Sequence, residues 1–513
     1  MSTMVTSGFY RMAQARPARI AIVDPDGAQV TFGQLARRVN QVSRALRARG
    51  LVAGDVVAAL VRNGHEHLEL LLATGQVGLY YVPVNWHLSP AEIGYILRDS
   101  GAALVVADAE KAQQLPGEAC PASRLTVGGV VAGWECFADF GRDEPGDEPD
   151  ARRSGAVMGY TSGTTGHPKG VRAPIPDAEP EAVLGGLIEF AGAYGAGLDG
   201  VHLVCSPLYH AAPSGHAVAF LHAGHTVVIQ PRFDPESVLR DIERYRVTTS
   251  HMVPTHFHRL LQLPGQVRGR YDLSSLQALI HAGAPCPVTI KQQMLDWVGP
   301  IVWEYLGSTE GTVTRVSPQE WIAKPGTVGR PLPGLTVKIL GPAGEELPGG
   351  EPGMIYFGYH GHGPAFEYHH DPEKTSASRF GALVTAGDFG YLDEDGYLFL
   401  LDRRTDVIIS GGVNIYPAEI EQHLITHPSV DDVAVIGVPD QEWGHSVLAV
   451  VQPSPGAAAG GELAASLLAY CGEGLASFKR PRRIEFVSDF PRTETGKVQR
   501  RLLRDRFAHA QAD

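Results

Sequence analysis

The sequence predicts an α/β protein with a large N-terminal α/β domain of several subdomains and a small, mobile C-terminal α/β domain. Three observations carry this. Short apolar runs alternate with helical patterns along the chain. A loop rich in Gly, Ser and Thr directly follows one of those runs. The chain has 513 residues, 44% hydrophobic and 19% charged, enough for more than one core.

Asp55-Val-Val-Ala-Ala-Leu-Val61 and Ala103-Leu-Val-Val-Ala107 read as buried strands, and Leu68 to Val77 between them as a helix. Arg142 to Ser154 is acidic and contains Pro145, Gly146 and Pro149, which marks a surface connection. Ala156 to Tyr160 is a short buried strand. Asp234-Pro235 opens a helix, with an N-cap and then proline at the first helical position. Val238, Leu239, Ile242 and Tyr245 fall on one face of it. Gly341 to Gly353, rich in Gly, Pro and Glu, reads as a long hairpin turn.

A domain boundary is expected at Asp402-Arg-Arg-Thr-Asp406, dividing the chain into 1–402 and 403–513 with a hinge near 403–406. The second part, about 110 residues, has the size of one domain. In it Ile408-Ile409 leads to Ser410-Gly-Gly412. A helix starts at Pro417, strands cover Val433 to Val438 and Ser446 to Val451, and a terminal helix covers Val498 to Phe507. Gly456 to Gly461 is the most flexible-looking stretch.

The net charge of −13, from 43 Lys and Arg against 56 Asp and Glu, argues against nucleic-acid or anionic-membrane binding. Cys120, Cys136, Cys205, Cys286 and Cys471 show no C-x-x-C spacing, which points to a reducing compartment without disulfides or zinc. Cys286 is expected to serve packing. No signal-peptide pattern and no apolar run of roughly 18 residues is present, so a cytoplasmic protein without a membrane span is expected.

Function is read first from Tyr160-Thr-Ser-Gly-Thr-Thr-Gly-His-Pro-Lys-Gly-Val171. Its glycines let the backbone approach a ligand closely. Successive N–H groups and small hydroxyls can surround phosphate oxygens, and Lys169 adds a point charge. The glycine spacing is not that of a Walker A loop, since Gly170 stands where Ser or Thr would hold magnesium. Pro174 and Pro176 oppose a helix directly after the loop.

Several later segments extend that reading: Ser206-Pro-Leu-Tyr-His210, Gly283-Ala284-Pro285, Tyr305-Leu-Gly-Ser-Thr-Glu310, Thr385-Ala-Gly-Asp-Phe-Gly-Tyr391 and Pro491-Arg-Thr-Glu-Thr-Gly-Lys497. With the loop, and in this order from about Phe9 to Arg504, they resemble the AMP-forming adenylating superfamily of acyl-CoA synthetases, peptide-synthetase adenylation domains and luciferases. The resemblance implies an acid–thiol ligase. A carboxylate attacks the α-phosphate of ATP, giving an acyl-adenylate and pyrophosphate; a thiol then attacks the acyl carbonyl and AMP leaves.

The resemblance also implies roles. Thr161, Ser162, Gly163, Thr164, Thr165 and Lys169 contact the β- and γ-phosphates. Thr309 and Glu310 belong to the magnesium and α-phosphate segment, and a hard cation suits the Glu310 carboxylate. Gly283, Ala284 and Pro285 run along adenine, Asp388 accepts from the ribose hydroxyls, and Arg403 reaches the ribose or phosphate. Lys497 bridges carboxylate and α-phosphate as charge develops. Rotation about 403–406 withdraws Lys497 and brings Ser410, Gly411 and Gly412 to the pantetheine path. His210 gates the thiol tunnel. The acyl pocket is expected to include His210, His281, Gly283, Leu306 and Gly307. Phe478-Lys479-Arg480 is placed near the CoA nucleotide, and Trp443 is left between packing and CoA contact. His360, His362, His369 and His370 fit no clear metal spacing and fall in a segment that aligns with an ordinary connection ending in Asp371-Pro-Glu-Lys-Thr375.

Two positions depart from the family. Leu306 stands where an aromatic usually stacks on adenine, and Thr405 where the hinge usually has Asp or Lys. Leu306 leaves three readings open: a complete ligase, an enzyme that thioesterifies a preformed acyl-adenylate, and a catalytically silent nucleotide-binding protein. The acceptor is free CoA or a separate carrier protein, and a homodimer is left open. Lys169-Gly-Val-Arg172, Tyr209-His210 and Gly412-Val-Asn-Ile-Tyr-Pro417 look like ligases for bile-acid and other bulky alicyclic acids. The acid expected is bulky and largely apolar, polycyclic acids included. The expected cofactors are ATP/AMP, Mg2+ and coenzyme A.

Overall fold

The computed structural model describes residues 8–161, 168–359, 366–403, 406–410, 413–440, 443–492 and 498–507. In one sheet Val56–Leu60 lies between the parallel strands Tyr80–Pro83 and Ala102–Asp108. Every residue of Val56–Leu60 is buried, as its unbroken apolar sequence requires of a strand covered on both faces. Helices Phe32–Ala48 and His65–Thr74 place Leu35, Val39, Leu46, Leu68 and Leu72 in one core with Val57 and Ala59. The second helix begins three residues before the expected start and ends at Thr74. The acidic segment before Ser154 is tied along the first helix, whose Gln41, Arg44 and Arg47 donate to its carbonyls.

The sheet continues through Ala156–Thr161, parallel to Tyr80–Pro83. Lys169–Arg172 then runs antiparallel to it, with Thr161 opposite Lys169. The Gly-rich segment is thus flanked by two paired strands, and a strand follows it rather than a helix.

The second sheet orders Ile20–Val23, Thr226–Ile229, Val201–Val204, Thr249–Met252, Ala278–His281 and Val302–Ser308 as parallel neighbours. Strand alternation sends successive side chains to opposite faces. Ala278 and Ile280 pack with Phe220 and Tyr194, near helices Pro180–Gly192 and Ala211–His222. Leu279 packs with Phe257, Met294 and Leu295, from helices Pro254–Leu261 and Val288–Val298. Beyond Ser308 the sheet becomes antiparallel and extends to Leu398–Arg403. Leu335–Leu340 and Gly353–Tyr359 pair antiparallel across the expected hairpin turn. Asp234 accepts from the Ser237 amide and caps Pro235–Tyr245, as the Asp-Pro pair predicts.

The small C-terminal domain pairs Val430–Asp440 with Gly444–Pro453, and Arg483–Phe486 lies parallel to the latter. Its own cores, around Val435, Leu467 and Cys471 on one face and Ile436, Leu503 and Phe507 on the other, mark a separate folding unit. The terminal helix is Arg500–Phe507, shorter than expected, because Val498 bridges to Arg492. All five cysteines are free, and Cys286 packs in the core near Met294. Among the described residues no helix is long and apolar enough to cross a membrane.

Candidate active site

Residues from both sheets wall one cavity of about 170 Å3. Gly159 and Tyr160 come from the strand before the Gly-rich segment. His210 caps helix Ala211–His222, and Thr309 and Glu310 form the turn between Val302–Ser308 and Gly311–Val316. Pro83, Val157, Val171, Ala173, Tyr209 and Phe366 complete the described wall. The close approach depends on Gly159. A Cβ there would lie 2.9 Å from Thr309 Cγ2, inside contact distance.

His210 rests against Tyr209, with ring centroids 4.4 Å apart. Its Nε2 is buried without a hydrogen-bond partner. Burial disfavours the imidazolium and pulls its pKa down to about 4, so the ring is neutral near pH 7.

Glu310 Oε1 accepts a 2.9 Å hydrogen bond from the phenol of Tyr368. Tyr368 stands opposite Val171, because Glu367–Tyr368 adds a strand to Lys169–Arg172. Lys169 pairs with the Asp371 carboxylate. That contact, and the Lys374 amide donated to the same side chain, hold Asp371 below the usual carboxylate range. The Lys374 ammonium lies 3.8 Å from the Tyr368 ring centroid, a cation–π contact. Tyr368 to Lys374 is therefore no ordinary connection: it supplies three of the polar side chains around Lys169 and Glu310. Sequence reasoning missed them because each is an unremarkable polar residue until strand pairing brings it to Val171. The signal available was Asp371-Pro372, an N-cap and helix start that fixes the segment next to the loop.

A second, smaller cavity joins Leu306, Gly307, Ser308 and Asp388 with Val313, Ile355, Phe357 and Ala386. Leu306 packs its side chain on the core that holds Val313 and Phe357. Asp388 starts strand Asp388–Leu392 and lies directly across from Arg403 in the antiparallel register. Gly307 faces this cavity, and a Cβ there would meet the Tyr305 ring at 2.8 Å. Ala284 and Pro285 instead line a cleft of about 170 Å3 with Glu421, Asp431, Arg492 and Arg500 of the C-terminal domain. Gly283 precedes them with φ +88°, a conformation L-residues rarely adopt. His258 Nε2 lies 3.5 Å from Asp431 Oδ1 across that cleft.

His281 is the residue expected in the acyl pocket, and alternation along Ala278–His281 sets it on the face of Leu279. There it is fully buried against Phe257, with Nε2 3.5 Å from Glu304. Glu304 is engaged by Lys291 at 2.7 Å. Ser162, Gly163, Thr164, Thr165, Thr405, Gly411, Gly412 and Lys497 lie outside the described residues.

The AMP-binding enzyme family profile matches residues 9–366, and the profile of the AMP-binding enzyme C-terminal domain matches 419–497. The chain is similar to a feruloyl-CoA synthase of an Amycolatopsis species, 37% identical over 97% of this chain and 98% of that one. It is also similar to the fatty acid–[acyl-carrier-protein] ligase ScoC of Streptomyces coeruleorubidus, 33% identical over 99% and 97%. Among solved structures it resembles the anthranilate CoA ligase AuaEII in complex with anthranoyl-AMP, with a TM-score of 0.88 at 27% identity, covering 98% of this chain and 97% of that one. A cavity lined by Leu306 and Asp388, a junction of Thr309, Glu310 and His210, and both family profiles in order lead to one conclusion: the chain belongs to the AMP-binding enzyme family and is an acid–thiol ligase.

Proposed function

We propose that this protein forms the CoA thioester of a bulky, largely apolar, ring-bearing carboxylic acid through an acyl-adenylate. The observation that carries this reading is the shared cavity of His210, Thr309 and Glu310. Its remaining described wall is apolar or aromatic and contains no Lys or Arg to pair with a second anionic group. The names of the feruloyl and anthranilate relatives support an aromatic acid. They give no support to the bile-acid likeness.

In this reading the hydroxyls and amides of residues 161–165 and the Lys169 ammonium hold the β- and γ-phosphates. Lys169 would exchange its Asp371 partner for phosphate. The Glu310 carboxylate, oriented by Tyr368, has the hard oxygen donor that Mg2+ prefers. Mg2+ bound there would neutralise phosphate charge. Asp388 accepts from the ribose hydroxyls, and Leu306 gives adenine an apolar contact in place of a stack. Lys497 stabilises the charge that develops between carboxylate and α-phosphate. The domain of residues 403–513 then turns about 403–406, Lys497 withdraws, and Gly411 and Gly412 leave room for a narrow thiol arm. His210 opens the thiol path, and the thiol sulfur displaces AMP from the acyl carbonyl.

A panel of hydroxycinnamic, anthranilic, bile and C2–C4 acids, assayed for CoA-ester formation, tests the substrate class. Turnover of the short polar acids alone would sink it. Pyrophosphate exchange with the accepted acid tests the complete ligase against the enzyme of the second half-reaction only. Lys497→Ala should abolish exchange while sparing CoA transfer from synthetic acyl-adenylate. The ScoC relative favours a second acceptor, a carrier-protein phosphopantetheine; transfer to such a carrier in preference to CoA would replace the CoA reading.

A further inference from the structure

We propose that Asp99, His369 and His370 form a binding site for a divalent transition-metal cation of the Zn2+ class, outside the catalytic cavity. Each offers one ligand atom, and these atoms lie within 4.8 Å of one another. Two nitrogens and a carboxylate oxygen, with water as a fourth ligand, suit Zn2+ at about 2.0–2.2 Å per bond. His370 Nδ1 stands 3.8 Å from Asp99 Oδ1, a separation one cation can span. The two imidazoles stack with centroids 3.8 Å apart.

The surroundings resemble the outer shell of a metal site. Asp99 Oδ2 accepts from Tyr160 at 2.7 Å, and Asp99 Oδ1 accepts from Tyr95 at 3.4 Å. His369 Nε2 bonds the Asp99 carbonyl at 3.0 Å, which pins the ring at this spot. Such partners orient ligands and tune their basicity. His370 adopts φ +55°, an uncommon backbone for a residue other than glycine. The spacing of histidines along the chain does not reveal this site, because its carboxylate is 270 residues away on helix Pro90–Asp99.

An ion here would cross-link that helix to the segment before Pro372–Ala377. It would also reach both strands that flank residues 162–167, through Tyr160 and through the 2.8 Å bond from the His369 amide to the Gly170 carbonyl.

The test is titration of the full-length protein with Zn2+ by calorimetry, and with Co2+ by visible absorption. One saturable equivalent is expected, with Co2+ bands of a nitrogen- and oxygen-ligated site. His370→Gly removes a ligand while suiting the left-handed backbone, so it should fold normally and bind at least tenfold more weakly. Asp99→Asn should do the same while keeping an acceptor for Tyr160. Binding of equal strength in His370→Gly, or no saturable binding by the parent up to about 1 mM, overturns the proposal.

Discussion

Near helix Ala211–His222, buried histidines lose their charge; beside strand Lys169–Arg172, which Glu367–Tyr368 flanks, charged side chains pair. His210 and His216 are drawn to about 4, and His222 and His256 to about 3, with burial as the main cause. Lys169, Asp371 and Lys374 sit in a half-exposed cluster in which Lys169 pairs with Asp371 and the Lys374 ammonium lies over the Tyr368 ring. The two regions meet at the cavity between Tyr160 and His210. Under the proposed function the acid would meet rings and the neutral His210 imidazole, while the phosphate side would present paired charge. Acid should damage the first region, and the loss of a single charged or polar group the second.

The largest effect should come from the phosphate side. Glu310→Gln keeps the shape and an acceptor for Tyr368 but removes the charge. Pyrophosphate exchange should fall about 100-fold or more, the scale of losing one electrostatic group at a transition state. Exchange within threefold of the parent would move the metal and phosphate contact elsewhere.

The histidine side sets the next expectation. Because those imidazoles are neutral when folded, the unfolded chain takes up protons first as pH drops below about 6.5. Stability is fully present above that pH and is lost as pH falls toward 4, at up to about 1.4 kcal/mol per pH unit for each histidine. Urea midpoints measured from pH 8 to 4.5 should be flat and then fall steeply. A flat profile throughout would break the contrast between the regions.

Gly159→Ala probes their junction. The added methyl meets Thr309, and overpacking of this kind costs about 1–3 kcal/mol. Adenylation should fall more than thermal stability, since Thr309 and Glu310 are displaced together. Tyr368→Phe removes one hydrogen bond to a carboxylate, about 1–2 kcal/mol, and should raise the Mg2+ requirement roughly tenfold in titrations of activity. The smallest change is a gain. Leu306→Tyr should lower the KM for ATP about threefold to tenfold by restoring a stacking surface; an unchanged KM would mean that Leu306 does not face adenine.

Much of the fold was legible because it rests on local patterns. Val56–Leu60, Ala102–Asp108 and Pro235–Tyr245 are written in apolar runs and in an Asp-Pro cap, and each appears within a few residues of its expected place. The candidate site was legible where one segment holds several candidate residues, as at Thr309-Glu310, which line one cavity with His210. It was not legible where a role arises from pairing between distant strands. Tyr368 reaches Glu310 only because Glu367–Tyr368 joins Lys169–Arg172. The face that His281 takes was not legible either, because strand alternation along Ala278–His281 decides it.

The register of Asp388 against Arg403 has a mechanical consequence. In the proposed rotation about residues 403–406, displacement grows with distance from the axis. Asp388 belongs to the part before the hinge and lies one cross-strand step from Arg403, and Arg500 stays at the axis through its ion pair with Asp406. A nucleoside held at Asp388 would hardly travel while the outer parts of the small domain sweep a wide arc. The grip on the sugar and the exchange of the catalytic face can then be independent events, like a key held still in a lock while the door swings.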